Sequence, residues 1–334
     1  MRILMIGGTG VISTEVSKRI LSKGWELYLL NRGTQTRGIM PEGAKWIHCD
    51  ARDGEEMARV CEGMTFDVVV DWISYTQQQL RSTLDALRGK YGQLIFISSC
   101  AVYSRELRNV TEDHPRENLA WSYARDKIGC EEYLKIEDLL YGCNWTVVRP
   151  AVTYGDTRIP CAIIPNLQWT LAERMLQGKP IVMHDDGSAR MALTHSSDFA
   201  KGIVGLMGNS LASRQAYHIL SEEYLSWKEI AEIEAEALGV TPKLAYISSQ
   251  DICREMPMTQ QGDTFGVLLC NKACTTTYDT GKIHAHVPEF LCTTPFREGI
   301  ARTMRFYREH PEFQGIDHAW NAQIDRLIEK FREG

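Results

Sequence analysis

The sequence has little that would hold it to a polyanion, a bilayer or a disulfide framework. Its 37 Lys and Arg are outnumbered by 43 Asp and Glu, for a formal net charge of -6. Chains that bind nucleic acid by neutralising phosphates usually carry a basic surplus, so this balance weighs against DNA, RNA or an anionic membrane as partner. No apolar run approaches the length needed to span a bilayer. The first, Ile3–Ile6, ends directly in glycines and reads as a buried strand, not as the core of a signal peptide. The expected setting is the cytoplasm. The ten cysteines include no C-x-x-C pair. Cys270 and Cys274 are four apart, with no His or Cys cluster beside them to complete a zinc site. Reduced, mostly buried thiols and no metal are expected. Internal repeats and low-complexity tracts are also missing.

What is present is an ordinary globular composition, 44% hydrophobic and 24% charged, over 334 residues. That length suits one large α/β unit or a large domain carrying a smaller one. The first half alternates short β-rich runs (Arg2–Ile6, Glu26–Asn31, Lys45–Cys49, Val68–Asp71, Leu94–Ser98, Trp145–Arg149) with helix-like stretches (Thr14–Lys23, Glu55–Glu62, Gln77–Arg88, Tyr123–Leu140). Near-continuous apolar strands spaced by helices predict a doubly wound parallel sheet over residues 1–150. After Pro150 the pattern loosens. It still holds helix-like runs at Leu167–Gln177, Ser226–Leu238 and Phe296–Glu309 and a strand near Ala216–Ile219. Residues 151–334 are expected to form a smaller α+β substrate lobe, with elements returning to the main domain.

Gly7-Gly8-Thr9-Gly10-Val11-Ile12-Ser13 follows the first strand and opens a helix. Gly7 permits a tight turn and Gly10 a close backbone approach to a pyrophosphate, which the positive helix N-terminus attracts. Ser13 stands where such turns usually carry a third glycine and is small enough to keep helix–strand packing. The second strand ends in Leu30-Asn31-Arg32-Gly33, without the acidic residue that meets free ribose hydroxyls. Arg32, together with Arg37, either meets a 2′-phosphate, which leans toward NADP, or stacks on the adenine. Asp50 either touches the adenine edge or is a solvated loop carboxylate.

A buried strand ends in Ser98-Ser99-Cys100-Ala101, and 24 positions after Ser99 comes Tyr123 in Ser122-Tyr123-Ala124-Arg125-Asp126-Lys127. Tyr123 and Lys127, four apart, share one helical face. An ammonium beside a phenol lowers its pKa from about 10 toward neutrality, so that it can take or give a proton, while a serine hydroxyl holds the reacting oxygen.

The chain resembles the extended short-chain dehydrogenase/reductase superfamily, in its NAD-dependent epimerase/dehydratase branch. The segments that carry the resemblance are GGTGVIS at 7–13, FISSCAVYS at 96–104, SYARDK at 122–127, VVRPAVTYGD at 147–156 and HDDGSARMALTHSSDFAKG at 184–202. They occur in family order over about two thirds of the chain. The resemblance implies a Rossmann domain, bound NAD or NADP, a C-terminal substrate lobe and often a homodimer. It matches Ser99, Tyr123 and Lys127 to the family's catalytic residues. The expected cofactor contacts are Gly7, Thr9, Gly10, Val11, Ile12, Asn31, Arg32, Asp50, Ala51, Tyr123, Lys127 and Pro150. Cys100 and Ala101 stand where sugar 4,6-dehydratases carry Asp-Glu, which speaks against ordinary dehydratase chemistry. Cys100 is either a proton donor at the substrate or a small packed thiol. Val70-Asp71-Trp72-Ile73 and Asn31-Arg32-Gly33 are similar to an atypical subgroup that includes the chloroplast stem-loop-binding proteins. Arg190 either pairs with the phosphates of a nucleotide-linked sugar or is a surface arginine. His195 is read as structural, and Asp198 as the cap of a helix beginning at Phe199. The leading expectation is an epimerase-like oxidoreductase on a nucleotide sugar. The rivals are an NADPH-dependent carbonyl reductase of a small substrate and a non-catalytic nucleotide-sensing or RNA-associated protein.

Overall fold

The computed structural model describes residues 1–33, 41–259 and 262–331; Arg37 lies outside them. The first half supplies β1 (Arg2–Ile6), β2 (Glu26–Asn31), β3 (Lys45–His48), β4 (Phe66–Asp71), β5 (Tyr91–Ile97) and β6 (Trp145–Arg149). The second half supplies β7 (Val152–Tyr154), β8 (Ile181–His184), β9 (Arg190–His195), β10 (Gln215–His218), β11 (Tyr224–Ser226), β12 (Leu244–Ile247), β13 (Met258–Thr259) and β14 (Gly262–Asp263). Seven of these strands form one parallel sheet in the order β3-β2-β1-β4-β5-β6-β10. The chain is therefore an α/β protein with a Rossmann-type sheet. β10, from the second half, closes its edge in register with β6 (Tyr217 opposite Val148). Strand order reverses at β1, and in open parallel sheets that reversal leaves a crevice at the carboxyl ends of the strands.

The helices are α1 (Val11–Ser22), α2 (Gly54–Val60), α3 (Gln77–Leu87), α4 (Ser122–Tyr141), α5 (Trp169–Leu176), α6 (Ser196–Leu206), α7 (Trp227–Leu238), α8 (Ser249–Glu255), α9 (Thr264–Val267), α10 (Gly281–His286), α11 (Phe296–Glu309) and α12 (His318–Phe331). Strand side chains alternate between two faces. Ile3, Met5, Val68 and Val70 pack with Val16 and Ile20 of α1, Phe199 and Ile203 of α6 and Ile283 of α10. Leu4, Ile6, Val69 and Phe96 pack with Met57 of α2, Leu80 and Leu84 of α3 and Leu134 of α4. Both faces are covered, which is why β1 and β4 are almost continuously apolar. A separate core gathers Trp169, Leu171, Met183, Leu193, Trp227, Ile230, Phe296, Met304 and Ile324 from the second half. Among the described residues no helix is long and apolar enough to cross a membrane.

Several boundaries differ from the sequence expectation, each for a local reason. The first helix begins at Val11, three residues early, because Ser13 Oγ accepts the Gly10 N–H at 2.8 Å and closes its first turn. Asp198 does not cap a helix at Phe199. α6 starts at Ser196, and His195 Nδ1 caps it by accepting the Ser197 N–H at 3.2 Å. Asp198 sits inside the first turn, accepting from Thr294 N and pairing with Lys201. The strands β7, β8 and β9 fall in the stretch where the sequence pattern loosened. At three to six residues they are too short to show a clear period.

One buried acid on α7 gives a test of the second core. Glu234 is 1% exposed, and its Oε1 has no hydrogen-bond partner among the described residues. Burial raises its carboxyl well above the ordinary value of 4.5. Above that ordinary value the folded chain keeps a proton that unfolding releases, so this group costs increasing stability as pH rises. Glu234→Gln is therefore expected to gain stability over the parent progressively as pH rises above the ordinary value of 4.5, measured by urea unfolding. A difference that does not change with pH contradicts a neutral buried acid.

Candidate active site

The turn after β1 is shaped by packing on one side and left open on the other. Gly7 (φ 103°) and Gly8 (φ 85°) adopt backbone that disfavours a side chain. A Cβ on Gly7 would lie 2.9 Å from Ile73 Cγ2, and one on Gly8 2.7 Å from Leu29 Cδ2. Gly10 needs neither strain nor close packing: at φ -88°, an added Cβ would meet only Ser13 Oγ, at 3.4 Å. Beyond Gly10 begins α1, whose first turn holds no acidic residue and whose first N–H groups have no acceptor within the helix. This open, positive end suits a dinucleotide pyrophosphate, the group that the glycine pattern implies. Val11 and Ile12 line the adjoining cleft.

Three residues of α4, Tyr123, Lys127 and Glu131, repeat at every fourth position and form one stripe facing the sheet. Lys127, 2% exposed, donates to the carbonyls of Ser74 and Ile97, each at 2.8 Å. Glu131, also buried, accepts from Arg149 Nε at 3.0 Å and Nη2 at 2.6 Å, from Ser98 Oγ at 2.5 Å and from Arg116 Nη1 at 2.7 Å. Burial alone would raise the Glu131 carboxyl, but the charge and hydrogen bonds of Arg149 hold it below its ordinary value. Arg149 also donates to Tyr103 Oη, so that hydroxyl must give its own proton to His218 Nε2, 2.8 Å away. His218 then carries its proton on Nδ1, facing the Asp279 carbonyl at 2.9 Å.

Ser98 is thus turned into the core, and Ser99 faces the cleft, where its Oγ accepts the Ala101 N–H at 3.1 Å. Ser99, Tyr123 and Lys127 line the same cavity of about 990 Å³, together with Cys100 and Pro150. Tyr123 does not have the lowered pKa expected from its lysine. Burial pushes its hydroxyl up to about 12, with Tyr75 adding to the rise, while a hydrogen bond to Ser99 and the charge of Arg158 pull it down. The Lys127 ammonium is engaged with backbone carbonyls, and burial lowers it to about 8. At neutral pH the phenol keeps its proton and the ammonium its charge. Cys100 Sγ donates to the Arg149 carbonyl at 3.2 Å, and burial raises its pKa, so it is a protonated wall residue already bonded to the backbone.

The second half of the chain builds the facing wall. Arg158, Asn271, Lys272 and Tyr278 line the cleft. Lys272, at the end of a π-helical turn (Leu268–Lys272), donates to the carbonyls of Cys161 and Ala162 at 2.9 Å. The neighbouring Gly266 leaves room for Trp121, since a Cβ there would lie 1.9 Å from the indole Cδ1. Trp121 in turn packs on Tyr123, ring centres 4.9 Å apart. Arg190 is not part of this wall. β9 directs it to the Tyr224 carbonyl (2.9 Å) and to Glu229 (3.2 Å), so the expectation that it meets substrate phosphates is corrected. Arg105 and Arg158 are guanidinium groups that do line the cleft. Sequence reasoning passed over Arg158, though it stands two positions after the TYGD segment.

At the other end of the glycine turn, Asn31 organises the exit of β2. Its Oδ1 accepts the Gly33 N–H at 2.9 Å and its Nδ2 reaches the Gly7 carbonyl at 3.4 Å. Arg32 Nη1 faces Asp50 Oδ2 at 3.6 Å. Thr9 is half-buried in the turn and Ala51 buried behind Asp50. Among the described residues no group of three or more His, Cys, Asp or Glu is placed to hold a metal.

The sequence matches the NAD dependent epimerase/dehydratase family over residues 3–219. It is 29% identical over 252 residues to the chloroplast stem-loop binding protein of 41 kDa b of Arabidopsis thaliana, spanning 71% of this chain and 63% of that protein. It is 24% identical over 245 residues to the 2′-dehydrokanamycin reductase of Streptomyces kanamyceticus, spanning 72% and 67%. The chain thus covers less than two thirds of the first relative and about two thirds of the second. Its fold is similar to that of DesIV, the dTDP-glucose 4,6-dehydratase of Streptomyces venezuelae solved with NAD and TYD bound. That likeness has a TM-score of 0.75 and 20% identity over 94% of this chain and 98% of the other.

The α4 stripe can be tested without any substrate. Glu131→Gln leaves two arginines facing an uncharged group in the interior and is expected to destabilise the fold by about 3–5 kcal/mol in urea unfolding. A lowered carboxylate stabilises above its ordinary value of 4.5 and loses that contribution as pH falls through the folded value. The parent should therefore lose its advantage over the variant in acid. A loss below about 1 kcal/mol at neutral pH contradicts the pairing.

Proposed function

Because the chain belongs to the NAD-dependent epimerase/dehydratase family, we propose that it is an NAD(P)-dependent oxidoreductase of epimerase type. Its substrate is a nucleotide-linked sugar that passes through a transient ketone. The observation that carries this reading is that Ser99, Tyr123 and Lys127 open onto one cleft together with the first turn of α1. The cleft also suits an anionic ligand. Its described lining includes Arg105, Lys127 and Arg158 against Asp126 and Asp263, in a chain of net charge -6. The dinucleotide would lie with its pyrophosphate at Gly10, Val11 and Ile12 and its adenosine near Asn31, Arg32, Asp50 and Ala51. When bound it supplies hydride acceptance and return.

The residues of the chain do the rest. Ser99 Oγ holds the reacting oxygen of the sugar. Tyr123 Oη takes the hydroxyl proton and later returns it. The phenolate this needs is disfavoured by burial, and the Ser99 hydrogen bond and the Arg158 charge offset part of that cost. Lys127 is fixed by the carbonyls of Ser74 and Ile97 and offers its remaining N–H to a ribose hydroxyl. Cys100 and Trp121 shape the wall beside the reacting carbon. A homodimer and a cytoplasmic setting belong to the proposal on the strength of the family resemblance.

A second reading, an NADPH-dependent reductase of a small carbonyl compound, draws on the likeness to 2′-dehydrokanamycin reductase and on Arg190 lying off the cleft. An epimerase regenerates its cofactor in each cycle, whereas a reductase consumes it. A net change in reduced-nicotinamide absorbance during turnover separates the two. The RNA-associated reading, motivated by the stem-loop binding relative, meets an acidic chain whose site hydroxyls and lysine are all in place.

The central test assays the full-length protein with NAD and a panel of UDP- and dTDP-hexoses. Tyr123→Phe is expected to lower turnover by about 10²–10⁴-fold while leaving dinucleotide affinity unchanged. Unchanged turnover in that variant contradicts the assignment.

A further inference from the structure

We propose that Asp71, at the carboxyl end of β4, is a positioning residue that locks the glycine turn and Lys127 to one another and keeps that lysine charged beside a bound dinucleotide. The inference rests on the dinucleotide reading above. Strand register places Asp71 between the two halves of the site. It lies opposite Ile6 of β1, the last residue before the glycine turn. On its other side it lies opposite Phe96 of β5, the residue before Ile97, whose carbonyl holds Lys127.

Asp71 is fully buried. Its Oδ1 accepts the N–H groups of Ile73 and Ser74 at 3.0 and 2.9 Å, which folds residues 71–74 into a tight turn. That turn touches both parts of the site. Trp72 and Ile73 press on the glycine turn, where a Cβ on Gly7 would lie 2.9 Å from Ile73 Cγ2 and 3.1 Å from Trp72 Cβ. Ser74 gives its carbonyl to the Lys127 ammonium at 2.8 Å. One carboxylate oxygen thus sets the spacing between the backbone that would meet the pyrophosphate and the lysine that would meet the nicotinamide ribose.

The second oxygen, Oδ2, is buried with no hydrogen-bond partner among the described residues. An asparagine could fold the same turn at a lower cost in desolvation, so turn geometry alone does not account for an acid here. The neighbouring ammonium does. Burial lowers the pKa of Lys127, and Cys130 and Glu131 on its own helix and Asp71 from β4 oppose that fall. The rings of Tyr75 and Phe96, 4.9 and 4.7 Å from Nζ, complete its surroundings without a full charge. Asp71 therefore acts on Lys127 twice, through the Ser74 carbonyl and through its own charge.

NADH binding to the full-length parent, Asp71→Asn and Asp71→Ala, followed by nicotinamide fluorescence across neutral and alkaline pH, separates the two actions. Urea unfolding establishes that each variant is folded. Asp71→Asn keeps an acceptor for Ile73 and Ser74 and should bind NADH as the parent does while Lys127 is charged in both. Without the Asp71 charge Lys127 loses its proton earlier, so the affinity of this variant should fall at a lower pH than that of the parent as pH rises. Asp71→Ala also releases the Ser74 carbonyl and should bind about tenfold more weakly at neutral pH. Two results overturn the proposal while leaving the dinucleotide reading intact: an Ala variant that binds as tightly as the parent, or an Asn variant whose affinity falls at the same pH as the parent's. If the Ala variant does not fold, the Asn profile decides alone. A parent that binds no dinucleotide overturns both readings.

Discussion

The site depends on one buried ionic contact, Glu131 of α4 against Arg149 at the end of β6. Two charges removed from water are stable only when each is paired and hydrogen-bonded, and here the carboxylate receives Arg149, Arg116 and Ser98 together. The contact fixes how α4 lies across the carboxyl ends of the sheet, both along the helix and around its axis. Once that is set, Lys127 one turn earlier reaches the carbonyls of Ser74 and Ile97, and Tyr123 one turn before that enters the cleft beside Ser99. The same arginine orders Tyr103 and His218 into a chain of hydrogen bonds with a single direction. A polar network of this kind is satisfied in one arrangement only, which gives the cleft a defined geometry where a purely apolar interface would permit sliding.

The second half of the chain completes the cleft from the far side. Asn118 donates to the carbonyls of Ala101 and Cys270 at 2.8 and 2.9 Å, joining the serine-bearing loop to the π-helical turn. Trp121, seated over Gly266, transmits that packing to the ring of Tyr123. The Tyr123 phenol is thus held between the sheet, through α4, and the opposite wall, through the tryptophan. Its burial is the reason its pKa is raised.

Much of this was legible in the sequence where the constraint is local. The glycine turn declares itself because it must follow a strand and open a helix, and the Tyr123–Lys127 spacing because one helical turn carries both. The strand alternation gave the sheet, whose first six members fall where the pattern placed them. What stayed hidden depends on tertiary pairing. Glu131 continues the four-residue spacing of Tyr123 and Lys127, but its meaning lies in Arg149, 18 positions away on another element. Arg190 was expected at the substrate. Pairing of β9 with β11 sets Arg190 opposite Ser226, and its side chain goes to the carbonyl of Tyr224 and to Glu229. The influence of lysine on the phenol was read from adjacency along a helix, whereas burial and the hydrogen bonds of the ammonium decide it.

The claim at the centre is that the α4 stripe and the glycine turn serve one ligand, a dinucleotide whose nicotinamide reaches Tyr123. A crystal structure of the protein with NAD bound tests this most directly. The account predicts the pyrophosphate against the Gly10 turn and the nicotinamide ribose on Lys127. It also predicts the nicotinamide ring beside the hydroxyls of Ser99 and Tyr123, with the Glu131–Arg149 pair intact beneath them. A nicotinamide directed away from Tyr123, or a dinucleotide bound elsewhere on the sheet, would contradict it.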